Sequence, residues 1–213
     1  MTWTSDVATL HSAGEPLGTA ELVVVLVHGR HHNARVMLDL VDRLPALPVS
    51  YLALEHRTGQ WYPYGFQQPI VRNEPQLSQS LETVASLLSW LAEQGYGSER
   101  VVLMGFSQGA CLLAEYALRH SVRYAGLVLL IGGAIGPDGT RWDGPAMLAG
   151  TPAYLGTSDP DDWVPVSRVR ETAAVLAERG ASVSLEVYDD LGHQVNDAEL
   201  VAVQRLIRSS LPG

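Results

Sequence analysis

Gly105-Phe106-Ser107-Gln108-Gly109 sets a serine between two glycines with the spacing G-x-S-x-G. The β-branched run Arg100–Met104 leads into it, and an Ala/Leu-rich amphipathic segment, Gln108–His120, leads out. That context predicts a strand–turn–helix with the serine on a strained turn. The glycines allow close approach of neighbouring elements. The helix start presents free N–H groups and the positive end of its dipole. A serine so placed is suited to nucleophilic acyl chemistry once a base takes its proton. The alternative reading is a glycine-rich turn with an inert serine.

The base should follow Ser107, in the chain order serine, acid, histidine. Only His120 and His193 do so. His120 is about 18 Å along the same expected helix, at 1.5 Å per residue, and cannot reach back. His193, in Leu191-Gly192-His193-Gln194, follows the expected strand Val183–Tyr188. Sites form at the carboxyl ends of strands in such sheets, so His193 is the expected base.

The acid should lie after the strand Pro152–Leu155, within Gly156 to Pro165, where Asp159, Asp161 and Asp162 compete. Asp159 is favoured, because it comes three residues past the glycine at the expected strand end. Asp161 and Asp162 read as solvated loop charges, or as a cap for the helix starting near Val166. The acid would hold the imidazole tautomer and stabilise the imidazolium. The main-chain N–H groups of Gln108 and of Arg30, in His28-Gly29-Arg30, are the expected oxyanion donors.

These groups must be held by a scaffold. Apolar strand-like runs at Leu22–Val27, Ser50–Glu55, Arg100–Met104, Tyr124–Ile131, Pro152–Leu155 and Val183–Tyr188 alternate with helical patterns. The helices are expected at Ala34–Leu44, Gln76–Gln94, Gln108–His120, Val166–Arg179 and Asp197–Ser209. Val7–His11 offers a further short strand. This order implies an α/β fold with a mainly parallel central sheet and helices on both faces. Gln60–Pro75 and Gly132–Thr151 fit no regular element, and loops of that length are usually functional or disordered.

Composition narrows the chemistry. All 14 cations among the 213 residues are Arg. With no Lys there is no Schiff-base enzyme, no Walker A lysine and no Ser-Lys dyad. A net charge of −9 argues against a nucleic-acid partner. The longest apolar run, Leu22–Val27, is far short of the roughly 20 residues of a membrane span. Met1 to Leu10 lacks the pattern of a signal peptide. One cysteine, Cys111, excludes an internal disulfide. A single domain over residues 1–213, cytoplasmic and without stable membrane insertion, is the expectation.

The elbow, followed by Ala110, together with Val27-His28-Gly29-Arg30, Trp61-Tyr62-Pro63 with Phe66, Gly136-Pro137 to Gly150-Thr151-Pro152, Gly156 to Pro165 and Gly192-His193, resembles the phospholipase/carboxylesterase family of α/β-hydrolases. Acyl-protein thioesterases are among its relatives. The resemblance is nearest to small bacterial members described as ring-cleavage-associated hydrolases. It implies the α/β-hydrolase fold without a large lid. It also implies an acid at the position of Asp159. His31 after the His-Gly-Arg stretch and Trp163 depart from the family's usual residues, and both should lie at the pocket mouth.

Trp61, Tyr62 and Phe66 have neither helical nor strand spacing and are expected as an aromatic pocket wall. His28, His31 and His32 lack the spacing of a metal site, and His28 is expected to orient the oxyanion loop. Cys111 reads as a buried apolar residue. The reading is a serine carboxylesterase for a small-molecule ester, thioester or lysophospholipid, needing no cofactor. Acyl transfer or another acyl reaction on the same groups is the alternative, as is a non-catalytic binding module. Monomer and homodimer stay open.

Overall fold

Seven strands among the described residues form one sheet. The computed structural model describes residues 3–120, 122–144 and 148–212. The strands are β1 (Ala8–Gly14), β2 (Leu22–Val27), β3 (Val49–His56), β4 (Val101–Phe106), β5 (Gly126–Leu130), β6 (Pro152–Asp159) and β7 (Ser182–Asp189), and their order in the sheet is β1-β3-β2-β4-β5-β6-β7. Only β1 runs antiparallel, against β3 at the edge. The other pairings are parallel. Every residue of β2 and of β4 is buried. That is why these strands read as unbroken apolar runs: both sheet faces are covered by helices.

The helices are α1 (Ala34–Val41), α2 (Gln76–Glu93), α3 (Gln108–Arg119), α4 (Val166–Glu178) and α5 (Asp197–Ser209). α1 packs on β1, β2 and β3, and α5 on β5 and β6. Arg43, just past α1, pairs with Asp197 of α5, which puts both on one face. α2 packs on α3, and α3 on β4 and β5. α4 joins that second face: Thr172 Oγ1 accepts from Ala134 N at 2.9 Å, while Gly133 N donates to Cys111 of α3. The mainly parallel sheet with helices on both faces is therefore observed.

The differences from expectation lie at element ends. The segment expected at Pro152–Leu155 continues to Asp159, because Gly156, Thr157, Ser158 and Asp159 pair in register with Glu186, Val187, Tyr188 and Asp189 of β7. Gln60–Pro75 contains one short 3-10 turn, Ile70–Asn73. Within the irregular stretch Gly132–Thr151, residues 145–147 lie outside the described residues. No helix among the described residues is long and apolar enough to cross a membrane.

α5 begins with a capping box. Asn196 Oδ1 accepts from Glu199 N, and Glu199 Oε2 accepts from Asn196 N, each at 2.9 Å. The rest of the Glu199 carboxyl is buried, and Oε1 has no partner among the described residues. Burial raises its pKa from 4.5 to about 7. The folded protein thus keeps a proton that the unfolded chain releases at lower pH. Stability from this group is full below pH 4.5 and is lost as pH rises towards 7, by up to about 3 kcal/mol. Glu199→Gln keeps the capping box and should flatten that part of the profile. Urea unfolding of both proteins across this pH range checks it, and an equal decline in the variant would contradict it.

Candidate functional site

Ser107 stands between β4 and α3 with φ 52° and ψ −118°, a strained conformation for a residue with a side chain. Its N–H is held by Leu130 O of β5 at 2.8 Å. The motif's glycines are dictated by space. A Cβ on Gly105 would come within 2.6 Å of the Ala110 and Gly109 main chain, and one on Gly109 within 2.2 Å of Val27 O. Any larger residue would push α3 away from β2 and β4.

His193 Nε2 lies 2.8 Å from Ser107 Oγ, and its Nδ1 lies 2.8 Å from Asp161 Oδ2. Ser107, His193 and Asp161 thus form one hydrogen-bonded row. The expected partner, Asp159, is not the one that meets His193. The physical reason is the longer β6: Asp159 still belongs to the strand, is exposed, and is registered against Asp189. Two residues further on the chain has turned over the strand end. There Asp161 Oδ1 also accepts from Trp163 N at 2.8 Å and Val164 N at 2.7 Å. The Asp161 side chain is fully buried and that of His193 is 21% exposed, so water screens this contact little. Asp162 is exposed.

The loop after β2 is fixed by His28. Its Nδ1–H donates to Gly29 O at 2.7 Å, while Nε2 accepts from His56 N at 3.1 Å. That pattern requires the neutral ring, and burial lowers the His28 pKa accordingly. The N–H groups of His31 and His32 are used by Gly59 O and Gly29 O. Arg30 and Gln108 both line the cleft in front of Ser107. Gln108 is the first residue of α3, where the N–H has no intrahelical acceptor.

Sequence reasoning missed what the side chains of Arg30 and Gln108 do. The Arg30 guanidinium donates to Pro63 O at 2.7 Å, Tyr64 O at 2.6 Å, Tyr62 O at 3.2 Å and Gln60 Oε1 at 3.4 Å. Gln108 Nε2 donates to Tyr62 O at 2.8 Å, and its Oε1 accepts from Trp61 N at 3.0 Å. The two expected oxyanion residues therefore clamp the aromatic loop to the elbow. Phe106 was also missed. Its ring lies between His193 (centroids 5.4 Å apart) and His32, stacked at 5.6 Å. Burial lowers the His32 pKa, helped by His193 and His31.

The cleft holds about 530 Å³. Tyr62, Phe66, His31 and Trp163 line it. Trp61 does not. It is fully buried, with its indole N–H on His28 O at 2.8 Å and its ring against His28 and His56. Trp61 is a core residue beneath the loop, whereas Trp163 is 72% exposed at the rim. Trp61→Ala should cost about 3–5 kcal/mol of stability, while Trp163→Ala should change it by less than about 0.5 kcal/mol. Thermal melts of both variants check this. Cys111 forms part of the cleft floor, and burial raises its thiol pKa to about 11, which keeps it protonated. No group of three or more His, Cys, Asp or Glu among the described residues is placed to hold a metal ion.

A model of the phospholipase/carboxylesterase family matches residues 15–211. The crystal structure of a phospholipase/carboxylesterase from Dyadobacter fermentans DSM 18053 superposes with a TM-score of 0.89 at 32% identity, covering 97% of this chain and 99% of that one. Acyl-protein thioesterase 1 of Gibberella zeae is 24% identical over 81% of this chain and 77% of its own length. Lysophospholipase-like protein 1 of Mus musculus is 23% identical over 93% of this chain and 90% of its own.

Proposed function

The chain belongs to the phospholipase/carboxylesterase family of hydrolases, and from that premise we propose that it cleaves uncharged carboxylic esters through an acyl-enzyme on Ser107. The observation that carries this reading is the row Ser107 Oγ, His193 Nε2, His193 Nδ1 and Asp161 Oδ2, with two contacts of 2.8 Å. His193 Nε2 takes the Ser107 proton as Oγ attacks the ester carbonyl carbon. Negative charge moves to the carbonyl oxygen, which the N–H groups of Arg30 and Gln108 receive. Collapse breaks the carbon–oxygen bond to the alcohol, and His193 returns its proton to that leaving oxygen. Water then attacks the acyl carbon, giving its proton to His193, and the acid leaves as Ser107 regains the proton. Asp161, held by the N–H groups of Trp163 and Val164, keeps the imidazole in the tautomer that presents Nε2 to Ser107.

The cleft lining supports an uncharged substrate. Tyr62, Phe66, Phe106, Trp163 and Val164 make it largely apolar. Its one arginine, Arg30, spends the guanidinium on residues 60–64. No other Arg, Asp or Glu among the described residues lines it. In a lysophospholipid the phosphate sits only a few bonds from the scissile ester and would enter a cleft whose one guanidinium already has its terminal nitrogens on residues 60–64. The purified protein should therefore hydrolyse a monoacylglycerol with a kcat/KM at least about a hundredfold above that for the lysophosphatidylcholine of the same acyl chain, about 3 kcal/mol for an unpaired buried charge. Equal values would overturn the substrate assignment. Absence of ester hydrolysis on any of a panel of acyl lengths would overturn the reaction.

A further inference from the structure

Ser158 is the penultimate residue of β6 and is 2% exposed. Its hydroxyl does not point to the substrate cleft. It accepts from Gly192 N at 3.0 Å and from Leu191 N at 3.1 Å. It also donates to Pro160 O at 3.4 Å. A hydroxyl has one proton and two lone pairs, so the whole capacity of this group is used. Its partners are the residues immediately before His193 and immediately before Asp161.

We propose that Ser158 is a positioning residue that sets the contact between His193 and Asp161 by pinning both of their loops to the end of β6. The inference rests on the catalytic reading of Ser107, His193 and Asp161 given above. Past β7 the loop is joined to β6 by the Asp190 N–H on Asp159 O, at 3.2 Å. His193 itself is held by the side-chain contacts with Ser107 and Asp161 and by the Phe106 ring. Without the hydroxyl, two part-buried N–H groups lose their acceptor, and the loop must shift or admit water to satisfy them. A displacement of the base by a fraction of an ångström is felt in the chemical step, not in substrate binding.

Ser158→Ala should lower kcat by about tenfold or more, with KM unchanged, when rates are normalised to sites titrated by a fluorophosphonate. Ser158→Thr restores the hydroxyl and should recover most of the loss. In the unsubstituted protein, the Leu191 and Gly192 amides should exchange with solvent more slowly than that of Asp162, a readout independent of how the variants fold. An Ala variant with parental kcat per titrated site would overturn the proposal. So would a loss that Thr fails to restore, or free exchange of the two amides. The catalytic reading fails differently: the unsubstituted protein would neither titrate nor turn over.

Discussion

Asp161→Asn is expected to lower kcat by about 10⁴-fold with little change in KM, because an amide at this place favours the wrong imidazole tautomer. Asp159→Asn should leave kcat at the parental value. The contrast follows from geometry: Asp161 Oδ2 is 2.8 Å from His193 Nδ1 in a fully buried side chain, whereas Asp159 is exposed at the end of β6. Asn at 161 also retains an oxygen for the N–H groups of Trp163 and Val164, so the loop should survive the change. Steady-state kinetics on the two variants decides between the acids. A collapse in Asp159→Asn with normal turnover in Asp161→Asn would reverse the assignment.

The second large effect concerns the nucleophile. Ser107→Ala should reduce kcat by about a millionfold, comparable to loss of the attacking group in other serine hydrolases. Its stability should change little. The strained φ of 52° suits alanine no better than serine, and the hydroxyl's partner, His193 Nε2, faces the open cleft. A double variant, Ser107→Ala with Asp161→Asn, should be no slower than Ser107→Ala alone, since the acid acts through a base that then has no serine to activate. Additive losses would mean that Asp161 serves some other step.

Ser107 and His193 were legible in the sequence for local reasons. The elbow is a short motif whose glycines are demanded by contacts with β2 and α3. His193 was found by elimination, because the other later histidine ends the helix that Ser107 begins. The acid was not legible in the same way. Apolar residues stop at Leu155, and the last four residues of β6 are Gly156, Thr157, Ser158 and Asp159, whose β-pairing is invisible in hydropathy. A strand that ends in a site has polar residues where a loop would. The turn in which Asp161 Oδ1 accepts from the Trp163 and Val164 N–H groups is likewise a contact seen only in the folded chain.

The aromatic loop shows a second limit. Trp61 and Tyr62 are adjacent, and irregular backbone has no period to tell inside from outside. Tyr62 reaches the cleft, while Trp61 turns into the core to bond His28 O. Arg30 and Gln108 were placed in the site for their main-chain N–H groups, but the long-range contacts of their side chains with residues 60–64 could only be seen once the chain was folded.

The central claim is that Ser107 becomes acylated. The absence of Lys makes its test unusually clean, since trypsin then cuts only after Arg and releases Val101–Arg119, a peptide in which Ser107 is the one serine. Reaction with a fluorophosphonate followed by mass spectrometry of the digest should place the full adduct mass on that peptide, fragmenting at Ser107, and none on it in Ser107→Ala. An unmodified Val101–Arg119 from protein that still hydrolyses p-nitrophenyl butyrate, or an adduct on any other residue, would contradict the account.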